Sequence, residues 1–170
     1  MQLLTERLSM RKITHTDWPL FLKLHSNPDV IEYCFDRPED ALIRKKFEQR
    51  LPAWDVNSRH PLCFVVIHRE TQQMIGVTGF TSFDGTCAEL GYLFLPEYFG
   101  RGYATESLKA VIEWGYETCG INKFKAIVTA GNKGSENLLS KCGLTHTDTI
   151  ADAYTIANTK YDDLIYTLNL

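Results

Sequence analysis

Three strand-like apolar runs, followed by a glycine pair, constrain this chain more than any other feature. The runs are Cys63 to His68 (CFVVIH), Met74 to Phe83 (MIGVTGFTSF) and Cys87 to Leu95 (CAELGYLFL). Turn residues at Glu70 to Gln73 and at Asp84-Gly85 separate them, which predicts three consecutive antiparallel strands. The third run leads through Pro96, Glu97, Tyr98 and Phe99 into Gly100-Arg101-Gly102, and then into a segment of a different period. There Ala104, Leu108, Val111, Ile112, Gly115 and Cys119 recur at helical spacing, with Gly120 placed to cap the end. Glycine at the mouth of a helix gives up backbone entropy. What it supplies is the absence of a Cβ beside the helix's first free N–H groups, which carry partial positive charge and suit a pyrophosphate.

The flanking segments fill in an alternating plan. Leu8 to Ile13 reads as an opening strand. Thr16-Asp17 starts a helix with Trp18, Leu20, Phe21, Leu22 and Leu24 on its apolar side. Asn27-Pro28-Asp29 starts a short helix through Tyr33, and Pro38 opens a longer one to about Trp54. After the central helix, Phe124 to Thr129 is a strand and Gly134 to Lys141 a short helix ended by Gly143. Two further strands fall around Thr145 to Ile150 and Tyr161 to Leu168. The order β-α-α-α-β-β-β-α-β-α-β-β predicts an α/β (α+β) mixture, with a mostly antiparallel sheet and a parallel crossover near its centre. With 170 residues and no repeat, low-complexity stretch or linker, residues 1–170 are expected to form a single domain.

Composition narrows the function. Hydrophobic residues at 44% and charged residues at 23% describe an ordinary soluble protein. A formal net charge of -3 speaks against nucleic-acid binding through a broad basic face. Cys34, Cys63, Cys87, Cys119 and Cys142 are dispersed and include no C-x-x-C pair, so neither a disulfide framework nor a metal site is expected. The histidines, His15, His25, His60, His68 and His146, show no metal spacing either. No run approaches the roughly 20 apolar residues of a membrane span, and MQLLTERLSMRKI lacks a signal-peptide core. A cytoplasmic protein with no membrane partner, monomer or homodimer, is expected.

The glycine loop fits other phosphate motifs poorly. A P-loop needs Lys and Ser or Thr after its second glycine, where Tyr103 stands. The dinucleotide pattern needs a third glycine where Thr105 stands. Glu97 to Gly102 instead resembles the Q/R-x-x-G-x-G/A acyl-CoA pyrophosphate loop of the GNAT acetyltransferase superfamily, followed by the Ala104 common there. Asn132 to Leu144 (NKGSENLLSKCGL) resembles that family's N-x-x-S…E-K-x-G-F segment. Glu89-Leu90-Gly91-Tyr92, the opening Leu3 to Arg11 and the closing Tyr161 to Tyr166 resemble the RimJ/RimL-like branch, the ribosomal-protein N-terminal acetyltransferases. The likeness spans nearly the whole chain. It implies the GNAT fold, a mixed and mostly antiparallel sheet flanked by helices and splayed at the coenzyme site. It also implies acetyl-CoA as co-substrate, bound by Phe99, Gly100, Arg101, Gly102, Tyr103, Ala104 and Thr105, and by Asn132 and Ser135. Main-chain groups of Leu93, Phe94 and Leu95 are then expected to pair with the pantetheine and to offer an oxyanion donor. Two positions depart from the pattern: Glu97 replaces Gln or Arg, and Leu139 stands where many members carry a tyrosine general acid.

The chemistry implied is direct attack of an amine on the thioester. An α-amine with pKa about 8 needs only about 1 kcal/mol to be neutral at pH 7, whereas a lysine-type amine needs roughly 4–5. Glu89, inside an apolar strand, is the candidate base; a structural ion pair is the other use of a carboxylate there. Ser135 is the candidate donor to the coenzyme sulfur, or else a helix cap, and Asn132 a coenzyme contact or a turn former. Trp18, Tyr33, Phe35 and Trp54 fall in the helices expected to cover the acceptor, most as core and one or two as pocket lining, while Asp29, Glu32 and Asp36 are read as a solvated helix face, with acidic character in the pocket as the alternative. The expected acceptor is a protein N-terminal amine, with a small-molecule amine (a polyamine, an aminoglycoside or an amino-acid derivative) and a non-catalytic acyl-CoA sensor as alternatives.

Overall fold

The computed structural model describes residues 1–170. Eight strands form one sheet: β1 (Gln2–Leu4), β2 (Leu8–Lys12), β3 (Leu62–His68), β4 (Met74–Phe83), β5 (Cys87–Phe94), β6 (Lys123–Thr129), β7 (Thr145–Ile156) and β8 (Thr159–Asn169), in the order β1-β2-β3-β4-β5-β6-β8-β7. Every neighbouring pair is antiparallel except β5 and β6. The helices are α1 (Trp18–Ser26), α2 (Pro28–Ile31), α3 (Asp40–Glu48), α4 (Tyr103–Cys119) and α5 (Lys133–Lys141). None is long and apolar enough to cross a membrane.

Alternation along the central strands divides the interior in two. Phe64, Val66, Phe80, Leu90 and Phe124 point to the face covered by α4, which contributes Leu108, Val111 and Ile112. Gly115 lets that helix approach closely, since a Cβ there would lie 3.2 Å from both Phe80 and Phe124. Cys63, Val65, Val77 and Leu95 point to the opposite face, under Phe21 and Leu24 of α1 and Ile43 and Phe47 of α3. Asp17 pins the start of α1. Its buried carboxylate takes Arg11 in a two-pronged ion pair at 2.7 and 2.8 Å and accepts the Thr14 N–H at 2.7 Å.

The central strands and α4 agree with their sequence pattern, and three other segments do not. The third N-terminal helix spans only Asp40–Glu48, because Pro52 forces the preceding chain away from helical geometry. Trp54 therefore lies beyond the helix and packs in the α4-side core, its ring centroid 5.7 Å from Phe80 and 5.9 Å from Trp114. β7 runs six residues past Ile150, because Ala157 and Asn158, at φ +48° and +63°, close a tight two-residue hairpin onto β8. β1 is a short additional strand on the sheet's edge.

Candidate active site

The parallel pair is short. β5 and β6 are in register only over Cys87↔Lys123, Ala88↔Phe124 and Glu89↔Lys125. Beyond Glu89 the strands part, while β6 stays paired with β8 through Thr129↔Asp163. A cleft of about 590 Å³ opens at this split, lined by Glu89, Tyr92, Leu93, Val128, Asn132 and Ser135 among others.

At the far end of β5 the chain turns through Pro96–Tyr98 into the glycine loop. Gly100 and Gly102 both have left-handed backbone, φ +70° and +80°, which is why other residues are disfavoured. Gly102 caps α4 without a side-chain bond, and the first helical bond runs from Glu106 N–H to the Gly102 carbonyl at 3.0 Å. The N–H groups of Tyr103, Ala104 and Thr105 are thus left for a ligand. A Cβ on Gly100 would meet nothing within 4 Å, and one on Gly102 would meet only Arg7 at 3.4 Å, so the face of the loop is open. This is a cradle that fits a pyrophosphate.

Arg7 and Glu106 hold the cradle in shape. The Arg7 guanidinium lies 4.5 Å from the Tyr103 ring centroid, donates to the Arg101 carbonyl at 3.0 Å and to Glu106 at 2.7 Å. Glu106 also accepts from the Thr5 hydroxyl at 2.6 Å and the Arg7 N–H at 2.9 Å. Burial pushes the Glu106 carboxyl up, but these donors outweigh it and hold the group below the usual carboxylate range. Arg101 has no carboxylate partner. Glu97 is 62% exposed and turned to Lys23 at 3.6 Å, so its charge is partly offset.

Along β5, backbone direction separates neighbouring residues. The Leu95 N–H donates to Ile75 and its carbonyl already accepts from Tyr98, so Leu95 has no N–H left to donate to a coenzyme, contrary to expectation. Alternation then turns the main-chain groups of Phe94 and Tyr92 toward the split. Leu93 lines the cleft with its side chain.

Glu89 faces the cleft from the α1–α3 side. It accepts from the Thr81 hydroxyl at 2.7 Å and lies 3.2 Å from Lys125 Nζ. An irregularity in the β4–β5 ladder, between Phe80↔Leu90 and Ser82↔Glu89, leaves Thr81 as the extra residue and brings its side chain over this carboxylate. Gly91 accommodates it, since a Cβ there would be 2.5 Å from the Thr81 methyl.

Across the split, Asn132 rather than Ser135 caps α5, its side chain accepting the Ser135 N–H at 3.2 Å. The Ser135 hydroxyl is thereby left free of the helix cap, and it lines the cleft together with the Tyr92 phenol. Burial pushes that phenol well above its ordinary pKa, with Ser135 partly offsetting the shift, so it stays protonated. Thr78, directly opposite Tyr92 in the ladder, has a buried hydroxyl without a protein partner. Leu139, one turn past Ser135, is fully buried in the core. Tyr92, Arg7 and Glu106 were not singled out by sequence reasoning. The signal for Tyr92 and Arg7 lay inside the Glu89–Tyr92 and Leu3–Arg11 stretches, while Glu106 sits in the first turn of α4, just past the glycine loop.

Tyr33 and Phe35 line the acceptor side, whereas Asp29 and Glu32 do not. Asp36 accepts the Ala157 N–H at 2.8 Å and ties the β7–β8 hairpin to the α2–α3 connection.

A split sheet beside an open, glycine-lined helix start is a setting suited to a phosphate-bearing acyl carrier. Residues 7–145 match the acetyltransferase (GNAT) domain family, and the chain belongs to that family as an N-acetyltransferase. The uncharacterized N-acetyltransferase YoaA of Bacillus subtilis (strain 168) is 26% identical over 166 residues, covering 96% of this chain and 94% of YoaA. RimL, a ribosomal L7/L12 alpha-N-protein acetyltransferase solved with coenzyme A, superposes with a TM-score of 0.84 at 15% identity, covering 100% of this chain and 98% of RimL. Spermidine N-acetyltransferase from Vibrio cholerae, solved with CoA and spermine, gives 0.83 at 16% identity, covering 97% and 96%.

Proposed function

We propose that residues 1–170 act as one catalytic domain that moves an acetyl group from acetyl-CoA to a primary amine by direct attack. The acceptor class is a protein N-terminal α-amine, as in the RimJ/RimL-like branch. The observation that carries this reading is the union of the β5–β6 split with the uncapped, double-glycine start of α4. The loop from Phe99 to Thr105 and the α4 N-terminus take the pyrophosphate, and Arg101 adds a charge. The free main-chain groups of Tyr92 and Phe94 receive the pantetheine as an added strand would. One of those N–H groups faces the thioester oxygen as charge develops on it.

Glu89, directly or through water, takes the proton that the amine sheds as the C–N bond forms. A lone carboxylate base suits an α-amine, already close to neutrality at pH 7, better than a lysine side chain. As the C–S bond breaks, the Ser135 hydroxyl donates a hydrogen bond to the leaving thiolate, which takes its proton from solvent, with the neutral Tyr92 phenol nearby in the cleft. Ser135 and solvent together take the role that a tyrosine at Leu139 would have filled. Five free cysteines accord with a reducing, cytoplasmic setting.

The test is coenzyme release, followed with a thiol reagent, against N-terminal peptides, their N-blocked forms and peptides with only a lysine amine. Turnover on free N-termini and none on blocked ones is expected. Acetyl-CoA binding without turnover on any amine would replace the enzyme reading with a sensor.

A further inference from the structure

The acceptor side of the cleft is basic, although the chain as a whole is acidic. Lys46 on α3 and Arg50 just beyond it line the cleft, with Lys12 of β2 beside them. None of the three takes part in an ion pair. Lys46 Nζ sits 5.3 Å from the Phe35 ring centroid and the Arg50 guanidinium 5.5 Å from that of Phe21. The remaining contacts recruit main-chain carbonyls: Arg50 donates to Lys46 at 2.6 Å, and Lys12 donates to Arg50. Burial lowers the pKa of all three, and Arg50 further lowers those of Lys12 and Lys46. The nearby acids are committed elsewhere: Asp17 to Arg11, Glu48 to Arg44 and Glu89 to Lys125. His25, which also lines this end, is neutral near pH 7, and burial keeps the Cys34 and Cys63 thiols protonated. Asp163 lines the same cleft without an ion-pair partner, but from β8, on the β6 side of the split.

Partly desolvated like charges held together without a counter-ion form a site that is complete only with an anion. Resting on the acetyltransferase reading, we propose that the acceptor is an anionic amine, carrying a carboxylate or phosphate that Arg50 and Lys46 bind while its amine lies at Glu89. The planar Arg50 fork suits a carboxylate or phosphate in two-pronged contact. A polyamine would bring positive charge against these cations and is disfavoured. The same chemistry is available from a free acidic or zwitterionic amine and from a peptide N-terminus followed by an acidic residue.

The experiment compares kcat/KM on three matched sets: glutamate and aspartate against their diamides, peptides with Asp or Gln as second residue, and spermidine. At least a tenfold preference for the carboxylate member of a set is expected, chiefly in KM. Arg50→Gln and the double variant Lys46→Gln/Arg50→Gln should erase that preference while leaving the acetyl-CoA affinity, measured by calorimetry, unchanged. Which set turns over identifies the source of the anion. Should no acceptor turn over, calorimetric binding of glutamate to the CoA-loaded protein, lost in Arg50→Gln, carries the same information. Equal rates on acids and amides, preference for spermidine, or absence of both turnover and glutamate binding would overturn the proposal. Failure of acetyl-CoA itself to bind would instead sink the donor reading.

Discussion

The sharpest perturbation of the donor site is a matched pair at Gly102, Gly102→Asn and Gly102→Asp. Both new side chains must adopt φ +80°, ψ 0°, which costs an ordinary residue roughly 1–2 kcal/mol and Asn or Asp less. The two variants therefore carry similar strain and similar volume. They differ by one negative charge, on a Cβ that starts on the open face of the loop, 3.4 Å from the Arg7 guanidinium. A carboxylate about 6 Å from a pyrophosphate charge, at an effective dielectric near 20, is repelled by about 3 kcal/mol. Arg7 offsets part of this, leaving about 1.5–3 kcal/mol between the variants. That corresponds to roughly 10- to 150-fold in the acetyl-CoA Kd. Calorimetric titration at low salt should show the wild type tightest, Asn intermediate and Asp weakest. Raising the ionic strength should narrow the Asn–Asp gap. Thermal unfolding should place both variants within a few degrees of the wild type. Equal affinities for Asn and Asp in folded protein would refute the placement of the pyrophosphate at this loop.

Tyr92→Phe should lower kcat about 10-fold with little change in acetyl-CoA affinity, because it removes a hydroxyl that lines the cleft with Ser135; stopped-flow thiol release reads it, and an unchanged kcat would remove Tyr92 from the chemistry. His25 is held down to about 4 by burial first, with Arg50 and Lys46 adding to the shift. The unfolded chain therefore binds a proton that the folded one rejects as pH falls from 6.5 to about 4, and up to roughly 3 kcal/mol of stability is lost across that window. Urea midpoints should fall more steeply with acid in the wild type than in His25→Gln, and parallel curves would count against it. Phe80→Ala, deep in the α4-side aromatic cluster, should cost about 3–5 kcal/mol in chemical denaturation; a loss below 1 kcal/mol would mean that the cluster collapses around the gap.

The parts of the fold legible in the sequence were those where period and punctuation agree. CAELGYLFL, the glycine pair and the 3.6-residue spacing of α4 together placed β5, the loop and the helix within a residue of their bounds. The C-terminal hairpin was less legible, since β7 is exposed along eleven of its twelve residues and has no alternation to display. Within the site, residue type and strand parity brought Glu89 to the cleft but could not show its partner Lys125, because a parallel register is set by tertiary docking. The Arg7–Glu106 clasp spans about a hundred residues of chain and leaves no local pattern. Leu95 illustrates the limit of motif reading. Its position in the motif is right, while the direction of its N–H depends on β4.

The three-rung seam between β5 and β6 has a mechanical consequence. On one side of it lie β1 to β5, and on the other β6, β8, β7 and α5, so the sheet is two panels joined by a narrow weld. A ligand that inserts between the panels and hydrogen-bonds to both acts as a removable brace. Its binding energy then appears as resistance to unfolding, about 2.7 kcal/mol at a hundredfold excess over Kd. Proteolytic susceptibility near the weld, and amide exchange on the strand faces that border it, should fall as that brace is added. In such a protein the supply of donor governs not only the rate of transfer but the lifetime of the fold that performs it.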